Sequence, residues 1–116
     1  MLMKEFIFNS NGVALNPNIY QSTQFYKIFT AQLSCGKWTS GYQYYIPGEY
    51  YRGEISPATI DSKQFDSEKE AAFHELKYLR ERVLLHRISP AQQNELTELQ
   101  NLITDHFCQL KLFEFE

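Results

Sequence analysis

The hydrophobic period of this chain changes once, near residue 66, and that change limits the fold more than any other feature. Before it, apolar and polar residues alternate in short runs; after it, apolar residues recur every three or four positions. A block of strand pattern followed by a block of helix pattern predicts a sheet and helices segregated along the chain, the α+β class, rather than strands interleaved with helices. At 116 residues, the whole of 1–116 reads as a single α+β domain.

Within the first block, Lys4 to Phe8 alternates as a short strand and Asn9-Ser10-Asn11-Gly12 is a turn cluster, with Val13 to Leu15 returning beside it. Asn16-Pro17-Asn18 breaks the pattern. Phe25 to Leu33 is the clearest strand, Ser34-Cys35-Gly36-Lys37 a hairpin turn with Gly36 at its left-handed position, and Trp38 to Ile46 the partner strand. Pro47-Gly48 ends that strand, and a further short one is expected around Tyr50–Ile55.

The second block carries two helix starts. Ser67-Glu68-Lys69-Glu70 and Ser89-Pro90-Ala91-Gln92 both fit capping boxes, the latter with proline where its missing N–H is harmless. Ala72, Leu76, Leu79 and Val83 form one helical stripe; Leu96, Leu99, Ile103, Phe107 and Leu110 form the other. The short connection implies an antiparallel helix pair. The tail from Leu110 to Glu116 reads equally as a helix end or a last strand. The expected architecture is an N-terminal antiparallel sheet of three to five strands with a C-terminal two-helix hairpin packed on one face. One helix layer covers one side of a sheet, so the other is expected to face solvent or a partner.

The composition excludes several classes. With 43% hydrophobic and 22% charged residues the chain is not a disordered one. The net charge of −3 argues against duplex nucleic acid. No apolar run has the length of a signal peptide or a membrane span, so a cytoplasmic protein with no membrane association is expected. Cys35 and Cys108 make no disulfide framework and are expected as free thiols.

Sites of chemistry are scarce. Phosphate-loop, dinucleotide, nucleophile-elbow and zinc-protease motifs are missing, and the sequence reads as non-enzymatic. His74 and His86 point about 120° apart on one helix, and His106 and Cys108 diverge on the next, so no metal or other cofactor is expected. Glu49 and Glu54 lie among aromatics, surroundings that can raise a carboxyl pKa; the helix carboxylates read as solvated face and capping charge.

One feature stands out. Ten of the chain's aromatics, seven of its eight tyrosines among them, fall between residues 20 and 51. Phe25, Phe29 and Trp38 suit a core. From Tyr42 to Tyr51 the tyrosines occupy both alternation faces, so some point away from the helices. Trp38, Tyr42, Tyr44, Tyr45, Tyr50, Tyr51 and Arg52 are therefore the candidate binding residues, aromatic and arginine side chains being favoured at interfaces.

In its size, acidity and lack of catalytic motifs the chain is similar in kind to many small proteins of phages and mobile elements, anti-CRISPR inhibitors among them. This likeness of type assigns no residue. The order of elements in residues 25–86 also loosely resembles small sheet-plus-helix RNA-binding domains, without their glycine-and-aromatic strand signature. The expected function is a protein-interaction module, an inhibitor or adaptor acting on a basic or nucleic-acid-binding protein such as a defence effector. Residues 66–116 carry six basic and ten acidic side chains, a balance suited to a basic partner. A homodimer burying the same face is the nearest competitor. The alternative function is single-stranded nucleic-acid binding on a tyrosine-rich sheet surface.

Overall fold

The computed structural model describes residues 4–46, 52–84 and 93–114. Four strands, β1 (Asn18–Ser22), β2 (Tyr26–Gln32), β3 (Trp38–Ile46) and β4 (Arg52–Ser56), form one antiparallel sheet in chain order. Two helices follow, α1 (Glu68–Leu84) and α2 (Gln93–Glu114). The fold is the α+β arrangement that the change of period implies: α1 lies on β2 and β3, and α2 packs mainly on α1. Phe73 stacks on Phe107 and Arg80 reaches Thr104, so the two helices run in opposite directions.

The local signals explain most of these elements. Gly36 takes φ +92° at the β2–β3 turn, where Leu33 and Lys37 close the hairpin through their backbones. Ser67 Oγ accepts from the N–H of Glu70 at 3.1 Å, capping α1. The stripe of Ala72, Leu76, Leu79 and Val83 is fully buried and meets Tyr26, Ile28, Tyr42 and Tyr44 from the sheet, together with Leu99 and Ile103 of α2. The second capping box, Ser89 to Gln92, lies outside the described residues, as do Glu49, Tyr50, Tyr51 and His86. Residues 110–114 continue α2, so the ambiguous tail is helix as far as Glu114.

The first strand is not where the alternation places it. Residues 4–8 and 13–15 make isolated bridges, Phe8 to Ala14 and Val13 to Thr59, and the sheet begins at Asn18. Asn16 explains the displacement. Its side chain accepts from the N–H of Ile7 and donates to the carbonyl of Glu5, and the Leu15 N–H donates to the Ile7 carbonyl, so this arm folds back on itself rather than joining the sheet. Pro17, without an N–H, precedes the first ladder residue.

The second face of the sheet is not left bare. After β4 the backbone crosses over β3 at Gly41, where an added Cβ would sit 2.3–2.5 Å from backbone atoms of residues 56–58. This strap is pinned by Thr39 Oγ1 donating to the Thr59 carbonyl at 2.8 Å and by the Ala14 N–H donating to Ala58. Ala14, Ala31 and Ala58 form a small second core beneath Phe6, Phe8 and Phe29. The expectation of one uncovered face is thus corrected: the chain closes about half of it with its own arm and strap.

Two substitutions test this construction by urea unfolding. Gly41→Ala is expected to cost about 2–3 kcal/mol, because the strap's backbone must move to admit a methyl group. Ser67→Ala is expected to cost about 1 kcal/mol through the lost cap.

Candidate functional site

Directly opposed residues of antiparallel strands share a face. Three rows of the sheet therefore look toward α1: Asn18, Thr30 and Ser40; Gln21, Ile28, Tyr42 and Ser56; Tyr26, Tyr44 and Glu54. The first row is polar and each member has a carboxylate to meet. Glu68 accepts from Asn18 and from Thr30, at 2.9 and 2.7 Å, and Glu75 accepts from Ser40 at 2.8 Å. Spaced seven apart, Glu68 and Glu75 lie on one side of α1.

The other two rows end at β4 in a cluster of phenols around Glu54. Tyr42 donates to Glu54 Oε1 at 2.5 Å; Tyr44, at 3.3 Å, and Arg82, at 2.8 Å, share Oε2. Tyr42 stacks on Tyr44 and tilts against Tyr78 of α1, with ring centroids 6.0 and 5.7 Å apart. The Tyr42 hydrogen bond, and then that of Arg82, holds the Glu54 carboxyl below its ordinary range. The aromatic surroundings of Glu54 thus act opposite to the expectation for it, because they present hydroxyls rather than ring faces to the carboxylate. Burial raises both phenols, that of Tyr44 to about 12.

Glu75 has the opposite environment. Its residue is 8% exposed. Burial raises its pKa and the Ser40 hydroxyl offsets this in part. It lines a cleft of about 380 Å³ between α1 and β4, together with Ser40, Tyr42, Glu54, His74 and Tyr78, and with Ile55, Ser56, Ser62 and Lys63 at the sheet edge and the following loop. His74 lies against the Phe65 ring and is held below its ordinary pKa by burial first and then by Lys63 and Lys77. On the far side of the core, Tyr26 is bonded to His106 Nδ1, and burial raises the phenol and lowers the imidazole. No group of three His, Cys, Asp or Glu side chains among the described residues is placed to hold a metal ion.

On the outer face, the half not closed by the strap remains open among the described residues. Ser22, Lys27, Gln43 and Ile55 form one row across it and Tyr45 opposes Gly53 beyond, while the next row runs from exposed Ile19 at the edge to Phe29 and Gly41, which lie under the second core and the strap. Ile19 is 57% exposed and Ile55 63%. Tyr45 is 38% exposed and its ring lies 6.5 Å from that of Phe25.

The sequence-derived candidates divide accordingly. Tyr42 and Tyr44 are 2% and 1% exposed, core residues whose hydroxyls serve Glu54. They are removed from the candidate contact surface, because the alternation that separates them from Tyr45 turns them toward α1. Trp38 is half-buried, edge-on to Phe6, and bridged through its backbone to Phe65. Tyr45 does lie on the open face. Arg52 opens β4 opposite Ile46, its side chain outside the described set, as Tyr50 and Tyr51 are entirely. Cys35 and Cys108 are exposed free thiols. Sequence reasoning missed Ile19, Ile55 and the α1 residues Glu75, Tyr78 and Arg82. The last three share a helix side by their spacing of three and four, a signal that reads as solvated surface until the position of β4 is known.

Comparison with protein-family models, with curated proteins and with solved structures finds no significant match to this chain.

The two carboxylates make opposite pH predictions. Glu54 is lowered on folding, so it adds stability above its unfolded pKa and loses it as pH falls through the folded one. Tyr42→Phe is expected to cost about 1 kcal/mol at neutral pH and to shrink the loss of stability on acidification. Glu75 is raised, so its favourable contribution is present below the ordinary value near 4.5 and lost as pH rises through the folded pKa. Glu75→Gln keeps an acceptor for Ser40 and is expected to gain on the parent protein with rising pH across that window. Urea midpoints from acid to mildly alkaline pH check both signs.

Proposed function

We propose that this chain is a small, non-enzymatic protein-interaction module, an inhibitor or adaptor. It docks a basic protein against the open half of the outer sheet face, around Tyr45, Ile19 and Ile55. The observation that carries this reading is the division of that face. One half is sealed by Phe6, Phe8, Ala14 and Ala58, while the other keeps large apolar side chains uncovered among the described residues. Tyr45 and Ile55 neighbour one another on β3 and β4, with Lys27 and Gln43 between them and Ile19, and exposed apolar side chains rimmed by polar ones suit an interaction site. Charge selects the partner class. The chain is acidic overall, and Glu70, Glu81, Glu98 and Asp105 are exposed and without an ion pair among the described residues. A basic partner, a class that includes nucleic-acid-binding proteins, is drawn to such a surface. Two exposed thiols suit a reducing, cytosolic setting, and no helix among the described residues is long and apolar enough to cross a membrane.

The alternative function, stacking of single-stranded bases on sheet tyrosines, loses Tyr26, Tyr42 and Tyr44 as platform residues, since all three are buried under the helices.

The proposal is tested on an identified partner, isolated from the native host and purified. Ile55→Asp and Tyr45→Ala are expected to leave folding within about 1 kcal/mol while at least one weakens binding by about 2 kcal/mol. Gln109→Ala, at an exposed position of α2, serves as the surface control. Binding unchanged by both face variants, or an anisotropy shift of labelled single-stranded RNA or DNA at about 150 mM salt, overturns the reading. Dimerisation seen by sedimentation and abolished by Ile55→Asp assigns the face to a second copy instead.

A further inference from the structure

We propose that the cleft between α1 and β4 is a receptor for one basic side chain, the guanidinium of arginine or the ammonium of lysine, supplied by the partner and paired with Glu75. The inference rests on the interaction-module reading and names the group that the basic partner inserts.

The argument starts from an incomplete pairing. A buried carboxylate is ordinarily matched by a cation or by several hydrogen-bond donors. Glu54, at one end of the cleft, has two phenols and Arg82. Glu75, more deeply placed, has one hydroxyl, that of Ser40, on Oε2. Its Oε1 has no partner among the described residues, yet it is not a sealed orphan: the fully buried polar side-chain atom without a partner in that set is Arg82 Nε. Glu75 keeps a small exposure of 8%, and it lines the cleft.

Among the described residues no cation is paired with this oxygen. Arg82 is committed to Glu54. Lys63, at the rim, places its Nζ over the Phe65 ring at 5.6 Å. The cleft walls suit a cation in other respects. Tyr78, exposed at the cleft wall, offers an aromatic ring to which a guanidinium or ammonium is attracted by the ring quadrupole. Ser56 and Ser62 add hydroxyl oxygens at the mouth. An anionic ligand would meet two carboxylates, and a metal ion would find too few ligands. At about 380 Å³ the space is at the lower end of small-ligand pockets, fitting a side chain rather than a larger molecule. Ile55 belongs both to the cleft rim and to the open outer face, so a protein seated on that face has the cleft within reach.

The test does not need the partner. The purified chain is titrated with Nα-acetyl-arginine methylamide and Nα-acetyl-lysine methylamide, and with the uncharged citrulline and norleucine counterparts, followed by NMR of the Tyr42, Tyr78 and His74 rings. The charged probes are expected to give saturable shifts at those rings with millimolar affinity, and the uncharged ones none. Glu75→Gln is expected to weaken binding about tenfold, as loss of a charge-assisted hydrogen bond implies. Tyr78→Ala, at an exposed helix position, is expected to weaken it several-fold and supplies the second variant should Glu75→Gln fold poorly. Tyr45→Ala is expected to change nothing here, whatever its effect on partner binding. Equal response to citrulline, shifts centred elsewhere, or undiminished binding in the variants overturns the cleft assignment. Probe binding at the cleft with no effect of Tyr45 or Ile55 on partner affinity instead overturns the outer-face reading and leaves the cleft standing.

Discussion

Glu54 is a carboxylate on an edge strand, and it gathers the polar ends of an otherwise apolar core. Tyr42 and Tyr44 bury their rings between sheet and helix, where aromatic area contributes most, but a phenol cannot be buried whole without a partner for its hydroxyl. Both hydroxyls run to Glu54, and Arg82 of α1 completes the same carboxylate. One side chain thereby joins β3, β4 and α1. The hydrogen bonds that hold Glu54 ionised are those that let two tyrosines sit in the core, so the electrostatics and the packing of this end of the molecule are one arrangement.

The two faces of the sheet are closed by different means. Helices cover the inner face with the stripe on α1 and its counterpart on α2. The outer face is closed in part by extended chain, which can approach β3 so closely because residue 41 has no side chain. Extended chain buries less than a helix, and the small second core of three alanines under phenylalanines shows it. What the strap leaves uncovered is the region around Ile19, Tyr45 and Ile55, and the interaction reading follows from that shortfall.

The polar row of the sheet gives the same molecule a second resource. Glu68 and Glu75 look alike in sequence, yet Glu68 receives two donors and Glu75 one. Both donors to Glu68 share its Oε2, and what sets Glu75 apart is its place: it is buried at a cleft that Tyr42 and Tyr78 also line. The cleft and the open face meet at Ile55, so a basic protein can use both in one contact.

Local signals in the chain were enough to place β2, the Gly36 turn, β3, the start of α1 and the stripe that α1 buries, because each depends on backbone conformation or on period over a few residues. The fold class followed from the order of those periods. The first strand lies elsewhere, because alternation in residues 4–8 resembles that of any short strand, and the Asn16 amide that helps tie this arm back on itself is a contact made across 9–11 positions. The density of tyrosine was visible in the sequence; its division was not. Period two separates Tyr45 from Tyr42 and Tyr44, but which set turns inward depends on where the helices lie, and only the tertiary structure decided that. It also decided the ionisation of Glu54 and Glu75, since a carboxyl pKa answers to the donors and the burial around it, and those come from strands and a helix distant in the chain.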